Sequence, residues 1–249
     1  MTGTALITGG HRGIGLGIAR ALHAEGFALA LASEAPEDYA EVRAAVDELG
    51  ATYLRHDLRS DDPGALLDRV EDAVGAVTTL VSNAGVPAMA RGDLLEMSPE
   101  SFDRCHEVNL RGAFFLAQQA AKRMVALPDA PYRSILFVTS VSATMVSVER
   151  GEYCISKAGA SMMAQLFAAR LAADGIGVYE LRPGIVETGM TAAVHDAYTA
   201  RIEGGLVPAR RWGKPADIGA VVVPLATGAM HLATGAVIPV DGGLSIHRL

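Results

Sequence analysis

The stretch ALITGGHRGIGLGIARAL, residues 5–22, decides the fold of this 249-residue chain. It opens with an aliphatic run that suits a strand buried on both faces of a sheet. Glycines follow at once, and Ile14, Ile18 and Leu22 then recur every four residues, which gives a helix one apolar face. The segment therefore predicts a strand, a tight turn and a helix, the first unit of an α/β domain.

The same alternation of short aliphatic runs and longer segments of helical period continues along the chain. Alternating strands and helices pair in parallel through right-handed crossovers, so we predict an α/β, doubly wound fold: a seven-stranded parallel sheet flanked by helices on both faces. One domain is expected over residues 1–249, with a substrate lid at 187–211, where no clear strand is visible. The predicted strands are Ala5–Thr8, Phe27–Ala32, Thr52–His56, Thr79–Ser82, Ile135–Thr139, Val178–Leu181 and Val237–Val240. The predicted helices are Gly13–Glu25, Asp38–Leu49, Ala65–Val74, Pro99–Leu127, Gly151–Ala173 and Ala216–Ala226.

The composition and charge of the chain exclude several classes of protein. The chain carries 28 acidic and 21 basic residues, a formal net charge of −7, so counterion release gives it no affinity for nucleic acid, and no such partner is expected. No window approaches 18 apolar residues, and the first residues lack the features of a secretory signal, so no membrane partner is expected. Two cysteines are too few for a disulfide scaffold, and the seven histidines show no ligand spacing. We expect a cytoplasmic enzyme that uses no metal.

The glycine turn TGGHRGIG, residues 8–15, is the first candidate binding site. Glycines let the backbone approach a pyrophosphate closely, and the following helix offers free N–H groups and the positive end of its dipole. The spacing is TGxxxGxG rather than GxGxxG, because Ile18 stands where the third glycine of that motif would be. A turn that binds nothing is the alternative. Its position after the first strand favours a dinucleotide, since ligands bind at the carboxyl ends of such strands.

Tyr153 and Lys157 are the candidate acid–base pair. They stand four residues apart at the start of a predicted helix, so their side chains share one face. A free tyrosine has a pKa of about 10, and a nearby ammonium group lowers it by favouring the phenolate. The pair therefore suits proton transfer to or from a carbonyl or alcohol oxygen. A chance pairing on an ordinary helix is the alternative.

The ordered set of motifs resembles the short-chain dehydrogenase/reductase family, from Thr8 to about Gly243, and is closest to its 3-oxoacyl-(acyl-carrier-protein) reductase-like members. The motifs that carry the resemblance are the TGxxxGIG turn, Ser82-Asn83-Ala84-Gly85, Asn109, Ser140, Tyr153 with Lys157, Pro183-Gly184 and Asp241-Gly242-Gly243. The family usually has NNAG where this chain has Ser82 first. The resemblance implies a Rossmann fold and hydride transfer between a nicotinamide and a ketone or secondary alcohol.

The resemblance also implies a role for each catalytic residue. Ser140 binds the substrate oxygen, Tyr153 donates or accepts the proton, and Lys157 binds the nicotinamide ribose. Asn109 anchors a water in a proton relay to Lys157, with an ordinary helix bond as the alternative. Asn83 is expected to tie the fourth strand to its neighbour.

The glycine turn and the family resemblance together imply which residues contact the dinucleotide. They are Gly9, His11, Arg12, Gly13, Ile14, Gly15, Ser33, Asp57, Leu58, Asn83, Ala84, Gly85, Tyr153, Lys157, Pro183, Gly184, Val186 and Thr188. NADP is favoured over NAD because Ser33 stands where NAD-preferring members carry Asp, and Arg12 resembles the basic residue of NADP-preferring members. Glu34 opposes this, since a carboxylate that points inward repels a 2′-phosphate.

The substrate is expected to be a small carbonyl or alcohol compound, and the alternatives stay open. Asp174 stands where carrier-docking members often carry an arginine, which weakens the carrier-bound interpretation, and a sugar or polyol dehydrogenase is the first alternative. Sugar-nucleotide epimerases are disfavoured by the glycine spacing and the length, and a non-catalytic dinucleotide-binding protein by the complete acid–base set. The candidates to line the pocket are Met145, Val146, Arg150, Glu152 and Met190.

The resemblance also implies a homotetramer or homodimer built on the long helices predicted at Pro99–Leu127 and Gly151–Ala173. The candidate interface residues are Phe114, Phe115, Met162, Met163 and Phe167, with packing in the core as an equal alternative for each.

Overall fold

The structure is a computed structural model that describes residues 3–127 and 131–248. Its strands are β1 Thr4–Thr8, β2 Ala28–Ser33, β3 Thr52–Arg55, β4 Thr79–Ser82, β5 Arg133–Val138, β6 Ile176–Pro183 and β7 Val237–Val240. They form one parallel sheet in the order β3-β2-β1-β4-β5-β6-β7. The predicted fold class is confirmed. The strand order reverses between β1 and β4, and a crevice for a ligand opens at such a point.

Helices cover both faces of the sheet. They are α1 Gly13–Ala24, α2 Ala40–Leu49, α3 Pro63–Val74, α4 Pro99–His106, α5 Ala113–Ala126, α6 Gly151–Leu171, α7 His195–Glu203 and α8 Pro215–Ala226. One core layer joins the sheet to α3, α5 and α6, and a second joins it to α1, α2 and α8. Leu6 packs in the first layer and its neighbour Ile7 in the second, because successive side chains of a strand point to opposite faces. This two-sided burial explains why the strands read as continuous aliphatic runs.

The segment predicted as a helix over Pro99–Leu127 is helical from Pro99 to Ala126, but it is not α-helical throughout. A wide π-helical segment, Glu107–Gly112, separates α4 from α5 and contains Asn109. At Gly112 a Cβ would lie 2.3 Å from the backbone oxygen of Leu58, so glycine is required where the helix crosses the loop after β3. The apolar pattern could not show this interruption, because a single widened turn barely changes the helical period.

The segment 187–211, predicted as a lid without strands, contains helical structure. A 3₁₀ turn covers Gly189–Val194, and α7 follows. Of the α7 residues only Ile202 is buried, which leaves the helix too little apolar periodicity to be recognised in the sequence. The assignment of a single domain over 1–249 and of a lid remains a prediction.

Candidate active site

The glycine turn has the shape of a phosphate cradle. Gly9 and Gly13 have φ of +66° and +53°, a region in which other residues are strained. A Cβ on Gly15 would lie 2.2 Å from the backbone oxygen of Gly9, so the turn closes only with glycine there. No side chain caps the N-terminus of α1, and its first N–H groups are therefore available to an anionic ligand. Ile14 packs into the α1, α2 and α8 layer and fixes the direction of the helix.

His11, within this turn, has a polar ring with no protein partner. The side chain is buried, and neither Nδ1 nor Nε2 has a hydrogen-bond partner in the protein. Burial and the charge of Arg12 lower its pKa, so the ring is neutral near pH 7 and offers one donor and one acceptor. A buried polar group of this kind calls for a polar ligand, and a dinucleotide with its hydroxyl and phosphate groups fits the site.

The loop after β4 is tied to β1. The amide of Asn83 donates to the backbone oxygen of Thr8 at 2.9 Å, and the Thr8 hydroxyl accepts from the backbone N–H groups of Asn83 and Ala84, each at 3.0 Å. This is the bond to the neighbouring strand expected for Asn83. It holds Ala84 and Gly85 at the reversal of strand order, beside the glycine turn.

The residues expected at the adenosine end lie at the ends of β2 and β3. Ser33 closes β2, and its hydroxyl is hydrogen-bonded to the hydroxyl of Tyr53 at 2.6 Å. Arg12 is exposed and lies 3.6 Å from the Glu41 carboxylate. The Arg59 guanidinium contacts Asp57 at 2.8 Å and holds the pKa of that carboxyl below its usual range. Tyr53 was not foreseen, because it lies within a strand that showed no sign of a binding residue.

The carboxyl end of β6 brings further predicted residues to this edge. Pro183 ends the strand, and a Cβ on Gly184 would lie 2.7 Å from the Cβ of Asp241, so the chain turns there in close contact. Val186 is buried. The methyl group of Thr188 lies 3.4 Å from the place of a Cβ on Gly13, so segment 187–211 begins beside the glycine turn.

The three catalytic candidates converge. Ser140 follows the carboxyl end of β5, and Tyr153 and Lys157 lie in the first two turns of α6. Ser140 forms a hydrogen bond with Tyr153 and also accepts one from the backbone N–H of Ser142 at 3.0 Å. The buried Lys157 ammonium donates to the backbone oxygen of Val138 at 3.1 Å and lies 5.7 Å from the centre of the Tyr153 ring.

The pKa of Tyr153 differs from the prediction made from the sequence. Burial raises the pKa of Tyr153, and this outweighs the opposing effects of the Ser140 hydrogen bond and the Arg150 charge. The prediction that the Tyr153 pKa is lowered is therefore wrong for the protein without a bound dinucleotide. Tyr153 is a protonated phenol that can donate its proton. Burial lowers the pKa of Lys157 to about 8, against the charge of Glu180.

Asn109 links the loop after β4 to α6. Its side-chain oxygen accepts from the Val86 N–H at 2.7 Å, and its amide donates to the Val86 oxygen and the Ser156 hydroxyl, both at 3.0 Å. The partners of Asn109 lie outside its own helix, so its side chain neither caps that helix nor forms a bond within it. A Cβ on Gly85 would lie 3.2 Å from the Asn109 oxygen and 3.4 Å from the Lys157 ammonium, so Asn109 and Lys157 face the same small space. The relay role of Asn109 remains a prediction.

A buried polar cluster beside the catalytic residues was missed. The carboxylate of Glu180 in β6 accepts from Thr139 at 2.6 Å, from Arg182 at 2.7 Å and from Ser161 at 2.8 Å. Thr139 precedes Ser140, and Ser161 lies one turn beyond Lys157 on α6. A glutamate within a buried strand, followed two residues later by an arginine on the same face, was the signal available in the sequence.

Four of the five pocket candidates separate into two groups. Met145, Val146 and Met190 are exposed near the site, and Thr144 and Met145 line an open cavity of about 570 Å³ together with residues 244–248. Glu152 was predicted wrongly as a lining residue. Its side chain is buried and accepts a hydrogen bond from the Ser101 hydroxyl at 2.5 Å.

Within residues 3–127 and 131–248, the structure shows neither a metal-binding cluster nor a membrane-spanning helix. No group of three or more His, Cys, Asp or Glu side chains is arranged to hold a metal ion. Within the same ranges, none of the helices combines the length and the apolar character needed to cross a membrane.

A glycine cradle at the first strand, beside a serine, a tyrosine and a lysine at the carboxyl edge of the sheet, defines the class: a dinucleotide-dependent oxidoreductase that acts on a carbonyl or an alcohol. Residues 9–245 match a family model described as Enoyl-(Acyl carrier protein) reductase. The chain is 35% identical over 249 residues to the 3-oxoacyl-[acyl-carrier-protein] reductase MabA of Mycobacterium tuberculosis, with 98% of this chain and 93% of that protein covered. The chain belongs to the short-chain dehydrogenase/reductase family.

Solved structures of similar proteins support this family assignment. A 3-oxoacyl-[acyl-carrier protein] reductase from Brucella melitensis, in complex with NAD, shares 48% identity and a TM-score of 0.94, and the match covers 99% of this chain and 98% of that one. A protein from Agrobacterium tumefaciens with bound NADP, provisionally identified as a 2-deoxy-D-gluconate 3-dehydrogenase, shares 32% identity and a TM-score of 0.85 over 98% of this chain and 96% of that one. The chain is an NAD(P)-dependent oxidoreductase that transfers a hydride between a nicotinamide and a ketone or secondary alcohol, as predicted.

Proposed function

We propose that this enzyme reduces the ketone of a 3-oxoacyl compound to a secondary alcohol, with Ser140, Tyr153 and Lys157 as its catalytic residues. The observation that carries the proposal is their convergence beside the glycine cradle, with Tyr153 hydrogen-bonded to Ser140. The names of the relatives, 3-oxoacyl reductases from two genera, support the substrate type. The catalytic and cofactor-binding roles of the individual residues are part of this proposal.

Each residue has one task. When bound, the dinucleotide supplies the hydride that adds to the carbonyl carbon and is itself oxidised. Ser140 donates a hydrogen bond to the carbonyl oxygen and stabilises the negative charge that develops there. Tyr153 transfers its proton to that oxygen, which completes the alcohol, and its protonated ground state suits this direction. Lys157 stabilises the phenolate left behind, and the reverse reaction uses the same groups.

We further propose NADP as the preferred dinucleotide. Ser33 ends β2 without a carboxylate. Arg12 is exposed and makes a long, 3.6 Å contact with Glu41, so its guanidinium can reach a 2′-phosphate. The solved neighbours support either choice, since one holds NAD and the other NADP. KM values for NADH and NADPH, measured in wild type and Arg12→Ala, decide between them.

A sugar-acid dehydrogenase is the second candidate, favoured by the Agrobacterium neighbour. The acidic chain, in which the Asp174 carboxylate pairs with Arg170 at 2.7 Å, offers little to an acidic carrier protein. A panel of 3-oxoacyl esters, sugar acids and polyols, run with both dinucleotides, separates the candidates. The homotetramer or homodimer and the cytoplasmic location remain predictions.

The substitution Tyr153→Phe tests the proposed mechanism. We expect kcat to fall by at least about 10²-fold, because the proton donor is lost, while the dinucleotide Kd from fluorescence titration stays close to wild type. Tyr39→Phe, at an exposed tyrosine that directly precedes α2, is the matched control and keeps full turnover. Equal turnover in Tyr153→Phe and wild type would contradict the proposal, and a protein that binds the dinucleotide but turns over no compound of the panel would be the non-catalytic alternative.

A further inference from the structure

Arg150 lies beside the proposed proton donor. It ends the short turn Val148–Arg150 that leads into α6, and its guanidinium carbon is 5.4 Å from the centre of the Tyr153 ring. Lys157 reaches the same ring from the side of the sheet, where its ammonium is bonded to Val138. Arg150 comes from the loop between β5 and α6, which also carries Ser140 and the cavity residue Met145. The phenol therefore has one cation on the sheet side and a second on the loop side.

Among the described residues, the Arg150 guanidinium contacts the Tyr153 ring but is paired with no carboxylate. Its Nε is buried without an acceptor, and among the described residues no carboxylate lies within ion-pairing distance of it. The nearest acidic residue on α6, Glu152, is turned away and bonded to Ser101. Other half-buried arginines are satisfied, since Arg123 pairs with two carboxylates and Arg182 with one.

A half-buried arginine without an acceptor is costly to the protein alone. Desolvation of a charged donor is unfavourable unless an acceptor replaces the lost water, and the planar fork of a guanidinium matches a carboxylate with two parallel bonds. An arginine left unpaired beside the reacting centre is thus preorganised for an anionic ligand. A neutral thioester or ester offers a weaker, uncharged acceptor.

We propose that Arg150 forms an anion subsite next to the reacting carbonyl, and that the preferred substrates are 3-oxo acids with a free carboxylate. This rests on the proposed function, because the carbonyl oxygen must sit on Tyr153 for the carboxylate to reach Arg150. The short distance from the guanidinium to the ring limits the anion to a position within a few bonds of the ketone. A carrier-bound thioester presents a neutral group at that position.

Acetoacetate and methyl acetoacetate form the matched substrate pair, since they share the ketone and differ in the charge of the neighbouring group. The quantity to measure is the ratio of their kcat/KM values with the holoenzyme and NADPH or NADH. We expect wild type to favour acetoacetate, and Arg150→Met to lower that ratio by about 10- to 100-fold, the usual effect of losing a charge-assisted bond. Arg150→Lys keeps the positive charge but cannot form two parallel hydrogen bonds, so it should recover part of the preference for acetoacetate. Arg43→Met, at an exposed arginine of α2, is the control and leaves the ratio unchanged.

The outcomes separate the two proposals. The subsite is supported if wild type prefers acetoacetate and the ratio of kcat/KM values falls in Arg150→Met, with circular dichroism showing that the variant is folded. Equal use of both compounds, or a ratio that Arg150→Met and Arg150→Lys leave unmoved, overturns the subsite and leaves the proposed reductase intact. Failure of the wild-type enzyme to reduce any 3-oxo compound with either dinucleotide overturns the proposed function and this inference with it.

Discussion

Glu180 shows how a residue outside the proposed catalytic group affects the pKa of a residue within it. Its carboxylate, 1% exposed, accepts hydrogen bonds from Thr139, just after β5, and from Ser161 on α6. It thus braces the segment that leads to Ser140 and the helix that carries Lys157. The charge of Glu180 raises the pKa of Lys157, against the larger lowering effect of burial. The predicted strand Val178–Leu181 contains this residue, and Arg182 is two residues away, but the partners Thr139 and Ser161 are distant in sequence. The sequence could therefore give the strand and not the cluster.

The substitution Glu180→Gln tests this tuning through pH dependence. Lys157, with a pKa of about 8, stays protonated below that pH and loses its charge above it, so reductase activity should fall on the alkaline side. Removal of the Glu180 charge lowers the Lys157 pKa further, and the alkaline limb of the kcat profile should move to lower pH. Of the other groups that face Lys157, Tyr153 lies on the same helix, and Cys105, whose pKa burial raises to about 11, stays neutral in this range.

The control for this profile is Glu71→Gln, which removes a carboxylate that pairs with Arg123 in the α3 and α5 layer, away from Lys157. Its alkaline limb should coincide with that of wild type. An alkaline limb that stays in place in Glu180→Gln would show that the cluster is only structural.

At the scale of the elements, the sequence predicted most of what periodicity can reveal. Every strand follows from an aliphatic run, and α1 follows from its four-residue apolar spacing. The π segment within Pro99–Leu127 and the helix within 187–211 were missed, because the first leaves the helical period nearly unchanged and the second buries only Ile202. The convergence of Ser140 with Tyr153 and Lys157 came from the resemblance, since residues on different elements are brought together only by tertiary packing.

The contact between α1 and α8 leads to a stability prediction. A Cβ on Gly17 would lie 2.5 Å from the backbone carbonyl of Pro215, and one on Gly219 would lie 2.5 Å from the oxygen of Gly17, so the two helices touch backbone to backbone. Gly17→Ala should therefore force the helices apart and lower the free energy of unfolding by about 1–3 kcal/mol. Urea unfolding followed by circular dichroism measures it. Gly92→Ala, where a Cβ meets nothing within 4 Å, is the control, and an equal midpoint for both variants would refute the packing argument.

At the scale of the whole molecule, α5 and α6 leave an apolar stripe exposed. Met162 and Leu166 are 55% and 59% exposed one turn apart on α6, and Ile155 and Phe115 extend the stripe. The other candidate interface residues pack inward: Met163 is buried, and Phe114 and Phe167 are packed against the core. We predict that these exposed apolar residues form an interface and that its occupant is a second copy of the chain.

The double substitution Met162→Arg with Leu166→Arg tests this interface. Two charges placed on the stripe would be buried without partners in a symmetric dimer, so the assembly should dissociate, and light scattering coupled to size exclusion should show the mass fall towards that of one chain, 25.9 kDa. Tyr39→Arg, at an exposed aromatic residue before α2, places a charge elsewhere and should leave the mass unchanged. A wild-type enzyme already at the mass of one chain, or a double variant with an undiminished oligomeric mass, would show that α5 and α6 do not join two copies. Because Tyr153 and Lys157 lie on α6, a dissociated variant that keeps its turnover would further show that one chain holds a complete site.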